Sequence, residues 1–480
     1  MSDGNGIIGY GAYVPFFRLQ RSAIANALQT MTGPGERAVA SYDEDTTSLA
    51  VEAGRIALRT LGDTPVGALH FATAAPAYLD KTNANAIHAA LGLDTSAPAY
   101  DMVGSVRSGV GALRAALDAG TTTMVVTADV RVGLAGGADE IGGGDAAVAF
   151  VCGDGADGPL LAELVGAASA TGEFLDRWRV PGDAASQVWE ERFSEHAYRP
   201  LVEQALTDAY KETGVSPDAV DHLVVAGPSA RANRAATRIA GAPAEAIADD
   251  LGAVVGNSGT AHPGLVLASV LDRAQAGQLV ALLTVADGAD VLLFRTTDAL
   301  AAHRPLPSVA DQVAAGRNDL RYESFLTWRG ALVREGPRRP DPQKPAPPPT
   351  LRSEDWKFAF TGSRCRVCGA RHLPPQRVCV NCQAVDEMDA DRLADVPATV
   401  ATFTVDRLAP SLNSPIVVGV LDFDGGGRYQ CELTDVDASE VSIGMRVEMT
   451  FRRMSTVDGV HNYFWKARPL RDANPKESAT

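Results

Sequence analysis

Ala99-Tyr100-Asp101-Met102-Val103-Gly104-Ser105-Val106-Arg107-Ser108-Gly109-Val110-Gly111 runs straight into Ala112-Leu113-Arg114-Ala115-Ala116-Leu117. A short extended piece meets a turn of small residues and then an Ala/Leu helix. Such a succession lifts one side chain onto a helix N-terminus inside a sheet-and-helix core, so the stretch reads as a nucleophile elbow.

On either side, strands and helices alternate. Ile7-Ile8-Gly9-Tyr10-Gly11-Ala12-Tyr13-Val14-Pro15 is an apolar strand stopped by Gly and Pro; Arg18 to Leu28 reads as a helix, Ala68 to Thr73 as a strand and Asn83 to Leu91 as a helix. Asp43-Glu44-Asp45-Thr46-Thr47-Ser48 precedes the apolar-periodic run Leu49, Ala50, Ala53, Ile56, Ala57, Leu61, placing acidic residues at the positive end of a helix. The pattern then repeats. Val51-Glu52 and the strand closing in Ala75-Pro76 recur as Val202-Glu203 and a strand closing in Gly227-Pro228. The elbow helix, Gly120 and Met124-Val125-Val126-Thr127 recur as Leu267 to Leu271, Gly277 and Leu282-Leu283-Thr284. Gly144-Asp145-Ala146-Ala147-Val148-Ala149-Phe150 echoes Gly288-Ala289-Asp290-Val291-Leu292-Leu293-Phe294. Two similar halves of alternating strand and helix imply two stacked, mostly parallel sheet-and-helix layers.

The elbow resembles that of the thiolase superfamily, and within it of 3-hydroxy-3-methylglutaryl-CoA (HMG-CoA) synthases and ketoacyl synthase III enzymes, in which Tyr-Asp is followed by three residues, a small residue and Cys. Counted from Tyr100-Asp101, the family's nucleophilic Cys position is Val106. The catalytic Glu that follows the Thr of the preceding strand maps onto Ala74, and the His of the family's His-x-Pro string onto Ala226 of Ala226-Gly227-Pro228. Of the family's catalytic positions only the Asn of Gly256-Asn257-Ser258 is kept. The resemblance implies an α/β fold: a thiolase-like, duplicated five-layer sheet/helix body acting on coenzyme A thioesters.

Composition sets outer limits. The 480 residues suffice for two or three domains, and 46% hydrophobic with 21% charged residues is ordinary for a globular protein. A net charge of -16 and a pI near 5.0 argue against nucleic acid as a partner. No apolar run approaches about 20 residues and Met1-Ser2-Asp3-Gly4-Asn5 lacks a signal-peptide pattern, so the expectation is a cytoplasmic chain with no membrane partner.

Glu335 to Thr350 is Pro-rich and charged, the composition of an extended linker. Beyond it Cys365-Arg366-Val367-Cys368 and Cys379-Val380-Asn381-Cys382 form two C-x2-C knuckles, which close a tetrahedral four-sulfur shell with no open position. Zinc in a structural role is the expected metal and iron the alternative, with disulfides or chance spacing as the remaining reading. Five short alternating stretches follow, Thr399 to Val405, Ile416 to Phe423, Arg428 to Leu433, Met445 to Phe451 and Tyr463 to Lys466. They suit a small Greek-key barrel, and ribbon plus barrel resembles the zinc-ribbon/OB-fold accessory domain beside thiolase-type acyl-CoA enzymes. The expected division is 1–157 and 158–300 for the two halves, 301–334 for a connecting arm with Tyr322, Phe325, Leu326 and Trp328 as anchors, 335–350 for the linker, 351–392 for the zinc ribbon, 393–470 for the OB-fold barrel and 471–480 for a frayed tail.

A thioester exchanged onto the protein needs a thiolate poised by a base, and Val106 supplies neither charge nor lone pair, so ping-pong acyl transfer through it is excluded. Ser105 lies one residue away without an evident partner His, and Cys152 ends an apolar strand. An acid/base and an enolate-stabilising hole suffice for aldol or retro-aldol chemistry on an acyl-CoA. His262 is the candidate base beside Asn257, with a satisfied core His as the alternative; Tyr78, Tyr100 and Asp101 are weaker candidates. Two functions stay open: a carbon-carbon bond enzyme on acyl-CoA, or a catalytically silent acyl-CoA-binding or scaffolding subunit of a thiolase-type complex. A homodimer is expected, with a thiolase or other acyl-CoA enzyme as a further partner.

Overall fold

The structure is a computed structural model that describes residues 4–62, 64–336 and 342–470. The chain divides into two compact units, one drawn from residues up to Ala40, Asp45–Asn85 and Asp94–Phe325, the other from Ser41–Glu44, Ala86–Leu93 and the chain from Leu326 onward.

The first half of the body comprises β1 (Gly6–Tyr13), the hairpin β2 (Phe17–Gln20) and β3 (Glu36–Val39) enclosing α1 (Arg21–Leu28), then α2 (Thr46–Leu61), β4 (Ala68–Thr73), α3 (Ala84–Leu91), β5 (Ala99–Val103), α4 (Arg107–Leu117), β6 (Thr123–Val130), α5 (Ala138–Gly142) and β7 (Asp145–Gly153). The second comprises β8 (Ala162–Ala170), the two-residue strands β9 (Arg177–Trp178) and β10 (Gln187–Val188), α6 (Glu191–Thr213), β11 (His222–Ala226), α7 (Ala230–Ala240), α8 (His262–Leu271), β12 (Leu279–Val285) and β13 (Ala289–Thr296). Nine strands follow the order β11-β12-β13-β8-β1-β7-β6-β4-β5, the halves meeting where Gly6 and Ile7 of β1 pair with Glu163 and Ala162 of β8. Helix α2 covers the strands of the first half, α6 and α7 those of the second, and α4 and α8 touch strands of both. The result is five layers with two helices buried in the middle.

Burial follows from strand period. On β12, Val280 and Leu282 enter the central core with Val110, Leu113, Leu265 and Val266, whereas Leu279 and Leu283 turn to the outer core of Val202, Leu206 and Ala236. A strand covered on both faces reads as a continuous apolar run.

Three expectations are corrected. Among the described strands of the body's sheet, β4/β5, β4/β6 and β11/β12 alone are parallel, while β1/β7, β6/β7, β12/β13, β8/β13 and β1/β8 are antiparallel. A chain that returns without a helical crossover must reverse, as β12 does through Ala286-Asp287-Gly288. The helix expected from Arg18 begins at Arg21, because residues 17–20 pair with residues 36–39 and the Arg18 guanidinium, fully buried, donates to the carbonyls of Phe17 and Gln312. Of the acidic string, Asp45 alone caps α2, accepting from the Ser48 N–H at 2.9 Å while the Ser48 hydroxyl accepts from the Asp45 N–H.

Beyond β13, α9 (Val309–Ala314) and α10 (Tyr322–Trp328) occupy the arm; the Tyr322 hydroxyl donates to Glu140 Oε2 at 2.9 Å and the Arg37 guanidinium lies 4.9 Å from the Phe325 ring centre. The linker stretch carries α11 (Pro347–Arg352), with prolines in its first turn, followed by α12 (Glu354–Lys357). Residues 337–341 and the expected tail 471–480 lie outside the described residues. In the second unit β14 (Thr361–Cys365), β15 (Arg371–His372) and β16 (Met388–Arg392) form a three-stranded ribbon. A closed barrel follows in the order β17-β18-β19-β21-β20, built from β17 (Ala398–Asp406), β18 (Ile416–Phe423), β19 (Arg428–Leu433), β20 (Arg446–Val457) and β21 (Val460–Pro469). Among the described residues, no helix is long and apolar enough to cross a membrane.

Asp43 and Glu44 belong to this second unit. Arg452 on β20 is 3.4 Å from Asp43, 2.7 Å from Glu44 and 2.6 Å from Asp435; Lys466 on β21 is 2.9 Å from Asp43 and 2.7 Å from Glu432. Burial alone raises the Asp43 carboxyl, but Lys466 and Arg452 outweigh it and hold it at about 2. A depressed folded pKa stabilises above the ordinary value of 3.8 and loses that contribution as pH falls toward about 2. We expect Asp43→Asn to cost about 3 kcal/mol or more at neutral pH, by leaving buried cations short of an anion, and to flatten the acid-induced loss of stability in that window. Urea unfolding of both proteins across pH 2–7 measures both effects.

Candidate functional site

The elbow forms at the edge of the body's sheet. Strand β5 ends at Val103, Gly104 turns the chain at a φ of 130°, and Val106 caps α4. Arg107 pins the helix start to the second half, its Nε 2.8 Å from Asp290 and its Nη1 donating to the Asp287 carbonyl at 2.7 Å. Val106, Ser105 and Ala74 line a cavity of about 470 Å3 with Tyr198, Pro228 and Asp287. Ala226 is fully buried on β11 and lines no cavity wall described, although Pro228 does.

Asn257 and His262 line a larger cavity of about 970 Å3, together with Asn233, Arg234 and Asp250. Arg131, Asp176, Arg177, Ser186 and Pro228 belong to both walls, so the two cavities adjoin. Asn257 is fixed by its backbone, which donates to the Gly142 carbonyl at 2.9 Å and accepts from the Gly144 N–H at 3.0 Å. That approach demands glycine at positions 144 and 256, where a Cβ would stand 1.9 Å from the Val255 oxygen and 2.2 Å from the Gly143 oxygen. The Asn257 amide donates to the Gly227 carbonyl and accepts from the Gly259 N–H, both at 2.9 Å.

His262 opens α8 and is 4% exposed. Burial, aided by Arg131 and opposed by Asp250, pushes its pKa down to about 4, so the ring is neutral at neutral pH. Its Nδ1 accepts from the Ser258 N–H at 3.4 Å, which places the ring proton on Nε2.

Beneath both groups lies Asp129, 1% exposed at the end of β6. Its Oδ1 accepts from the Thr73 hydroxyl and the Ala74 N–H, each at 2.8 Å, and its Oδ2 from the Thr260 N–H at 2.7 Å. Asp101 is spent on capping α3, accepting from the Asn83 and Ala84 N–H groups at 2.7 Å. Tyr100 is exposed and the Tyr78 N–H donates to Asn83, neither side chain lining the two cavities. Cys152 is fully buried on β7, where desolvation raises its thiol to about 12.

Sequence reasoning missed Asp176 and Tyr198. Asp176 is 3% exposed on both cavity walls; Tyr198 is 2% exposed on the smaller one. The stretch Asp176-Arg177-Trp178-Arg179 carries no periodicity or motif, and only the closure of the cavities marks it.

In the second unit, the Sγ atoms of Cys365, Cys368, Cys379 and Cys382 lie within 4.8 Å of one another. The Cys365–Cys382 and Cys368–Cys379 separations of 3.6 and 3.5 Å are near the ~3.8 Å edge of a tetrahedral zinc–thiolate shell. Both knuckles turn alike, with Gly369 and Gln383 at φ of 75° and 63° and their N–H groups donating to the Cys365 and Cys379 carbonyls. The donor set can hold a metal.

Both parts of the chain are similar to known proteins. The chain is 28% identical over 346 residues to the hydroxymethylglutaryl-CoA synthase of Caldivirga maquilingensis, covering 68% of this chain and 97% of that protein. The Pyrococcus furiosus hydroxymethylglutaryl-CoA synthase is 28% identical over 341 residues, with the same coverages. An HMG-CoA synthase crystallised with CoA superposes with a TM-score of 0.59 at 19% identity, covering 67% of this chain and 89% of that one. The 3-oxoacyl-(acyl carrier protein) synthase III of Pseudomonas aeruginosa gives 0.54 at 21% identity, covering 61% and 98%. Residues 392–452 match the family described as the C-terminal OB-fold domain of ChsH2. The chain thus joins an HMG-CoA-synthase-like body of thiolase fold to a C-terminal OB-fold domain.

Asp129 is replaceable by an amide in shape but not in bonding, since Asn presents one acceptor oxygen where the two N–H groups of Ala74 and Thr260 need two. Asp129→Asn is expected to cost about 1–3 kcal/mol, one unpaired buried donor, in urea unfolding.

Proposed function

We propose that the HMG-CoA-synthase-like body makes or breaks a carbon-carbon bond on a coenzyme A thioester by an aldol-type single displacement, with no acyl group carried on the protein. The observation that carries this reading is Val106 at the elbow, on the wall of a cavity: no cysteine lines either cavity among the described residues. What remains is a hole in which the neutral side chains of Asn257 and His262 stand beside arginines and aspartates. Asn257 and the Nε2–H of His262 suit the oxygen of an enolate, which fits His262 to a donor role in place of the base role read from the sequence. The body acts as a homodimer in this reading, and the OB-fold domain docks a thiolase-type acyl-CoA partner.

The purified chain mixed with acetyl-CoA or acetoacetyl-CoA is expected to show no acyl adduct by intact mass spectrometry. Cleavage of 3-hydroxyacyl-CoA substrates is expected to fall about 100-fold in His262→Ala or Asn257→Ala, the scale of one lost oxyanion donor, and to stay within about twofold in Ser105→Ala. A trapped adduct, or turnover abolished by Ser105→Ala, overturns the single displacement; tight acyl-CoA binding with no turnover in either direction assigns the chain to the silent-subunit role.

The four thiolates Cys365, Cys368, Cys379 and Cys382 are proposed to hold one structural zinc, the metal whose tetrahedral preference fits four soft donors with no open position. Metal analysis is expected to return one zinc per chain, and Cys368→Ser to lose it together with the fold of the ribbon. A zinc-free, fully folded protein contradicts this.

A further inference from the structure

Where the two cavities join, one buried carboxyl is exposed to neither solvent nor a counter-ion. Asp176 lies between β8 and α6, its carbonyl accepting from the Trp189 N–H at 2.8 Å. Its Oδ2 accepts from the Ser194 hydroxyl at 3.1 Å, while its Oδ1, buried, has no hydrogen-bond partner. No ion pair reaches it among the described residues. The neighbouring Arg177 is spent on Asp139 at 2.6 Å, and Arg131 lies 3.8 Å from that same carboxylate. Tyr198, one turn beyond Ser194, accepts from the Asp287 N–H at 3.0 Å, leaving its own proton to donate.

We propose that Asp176 is the proton-transfer group of this site, taking the β-hydroxyl proton of a 3-hydroxyacyl-CoA as the carbon-carbon bond breaks and returning it to the enolate carbon. This rests on the aldol reading of the same cavities. The other carboxyls of these walls are committed or exposed: Asp139 pairs with Arg177, Asp250 accepts from the Gly252 N–H, and Asp183 and Asp287 are exposed. Asp129 spends both oxygens on three donors, and Ala74 stands where the family's Glu is expected.

The step balances. Asp176 accepts the proton of the β-oxygen, and the O–H electron pair becomes the π bond of the departing aldehyde or ketone. The Cα–Cβ pair passes to Cα and onto the thioester oxygen. Protonated Asp176 then delivers the same proton to Cα, leaving the shortened acyl-CoA and a free carboxylate. Burial raises the Asp176 pKa, with the Ser194 hydrogen bond opposing it and Asp287 adding to it, which strengthens the group as a base. Tyr198, raised by burial and then by Asp176, stays a neutral phenol and acts as a positioning residue.

The test reads the enolisation half-reaction with acetyl-CoA in D2O, following deuterium entry into the acetyl group by mass spectrometry. The wild-type chain is expected to exchange. Asp176→Asn is expected to lose about 100-fold or more of the exchange rate, the scale of general-base catalysis, with acetyl-CoA affinity by calorimetry and the melting temperature kept. Asp176→Glu is expected to keep part of the exchange, Tyr198→Phe to lose about tenfold, and the wild-type rate to rise with pH through one ionisation that is missing in Asp176→Asn. Wild-type exchange persisting in Asp176→Asn overturns the proposal and leaves the aldol reading standing, as does a loss of exchange matched by an equal loss of acetyl-CoA binding. A wild-type chain that neither exchanges acetyl-CoA nor cleaves a 3-hydroxyacyl-CoA overturns both.

Discussion

The site hangs on one buried carboxylate. Asp129 gathers the end of β4 through Thr73 and Ala74, and the turn before α8 through Thr260, so both walls of the cavities are referred to the same two oxygens. A carboxylate this far from water is expensive unless every lone pair finds a donor, and charge-assisted hydrogen bonds are among the strongest available to a backbone. The position of Asn257 and His262 relative to the elbow is therefore set by a bond whose loss leaves buried donors unpaired.

Around that anchor, the duplicated body supplies rigidity. Helices α4 and α8 are covered by strands on both sides, so each begins in the protein's middle, where a residue at a helix start faces a cavity and not solvent. Burial then governs the chemistry. It neutralises His262 and raises Asp176, and it silences Cys152 by the same desolvation. In the proposed reading, the neutral donors Asn257 and His262 and the carboxyl of Asp176 favour the charge that develops as an enolate forms.

In the second unit the main constraint is again electrostatic. Arg452 and Lys466 are buried with Asp43, Glu44 and Asp435, and Glu432 completes the set from a half-buried position. Such clusters contribute little net stability over an apolar core, but each member is costly to remove alone, which makes them strong determinants of one arrangement. A four-thiolate centre at the ribbon would act in the same direction in a region with few apolar contacts of its own.

The sequence by itself determined what depends on local order. The elbow, the repeat of strand and helix, the barrel strands and the paired C-x2-C knuckles are legible because turns, periodicity and ligand spacing are short-range. Strand direction was misread where apolar runs look alike whether the chain crosses over or doubles back. The helix at Arg18 was misread because its guanidinium finds carbonyls at Gln312 that no window includes. Asp43 and Glu44, read as helix-start acids, pair instead with cations some four hundred residues away, as the 409-residue separation of Asp43 and Arg452 shows. Asp176 had no signal at all, since the burial of its carboxyl and the rise of its pKa come only with folding. Those properties are sums over the whole packed surroundings of an atom, and only the tertiary structure decided them.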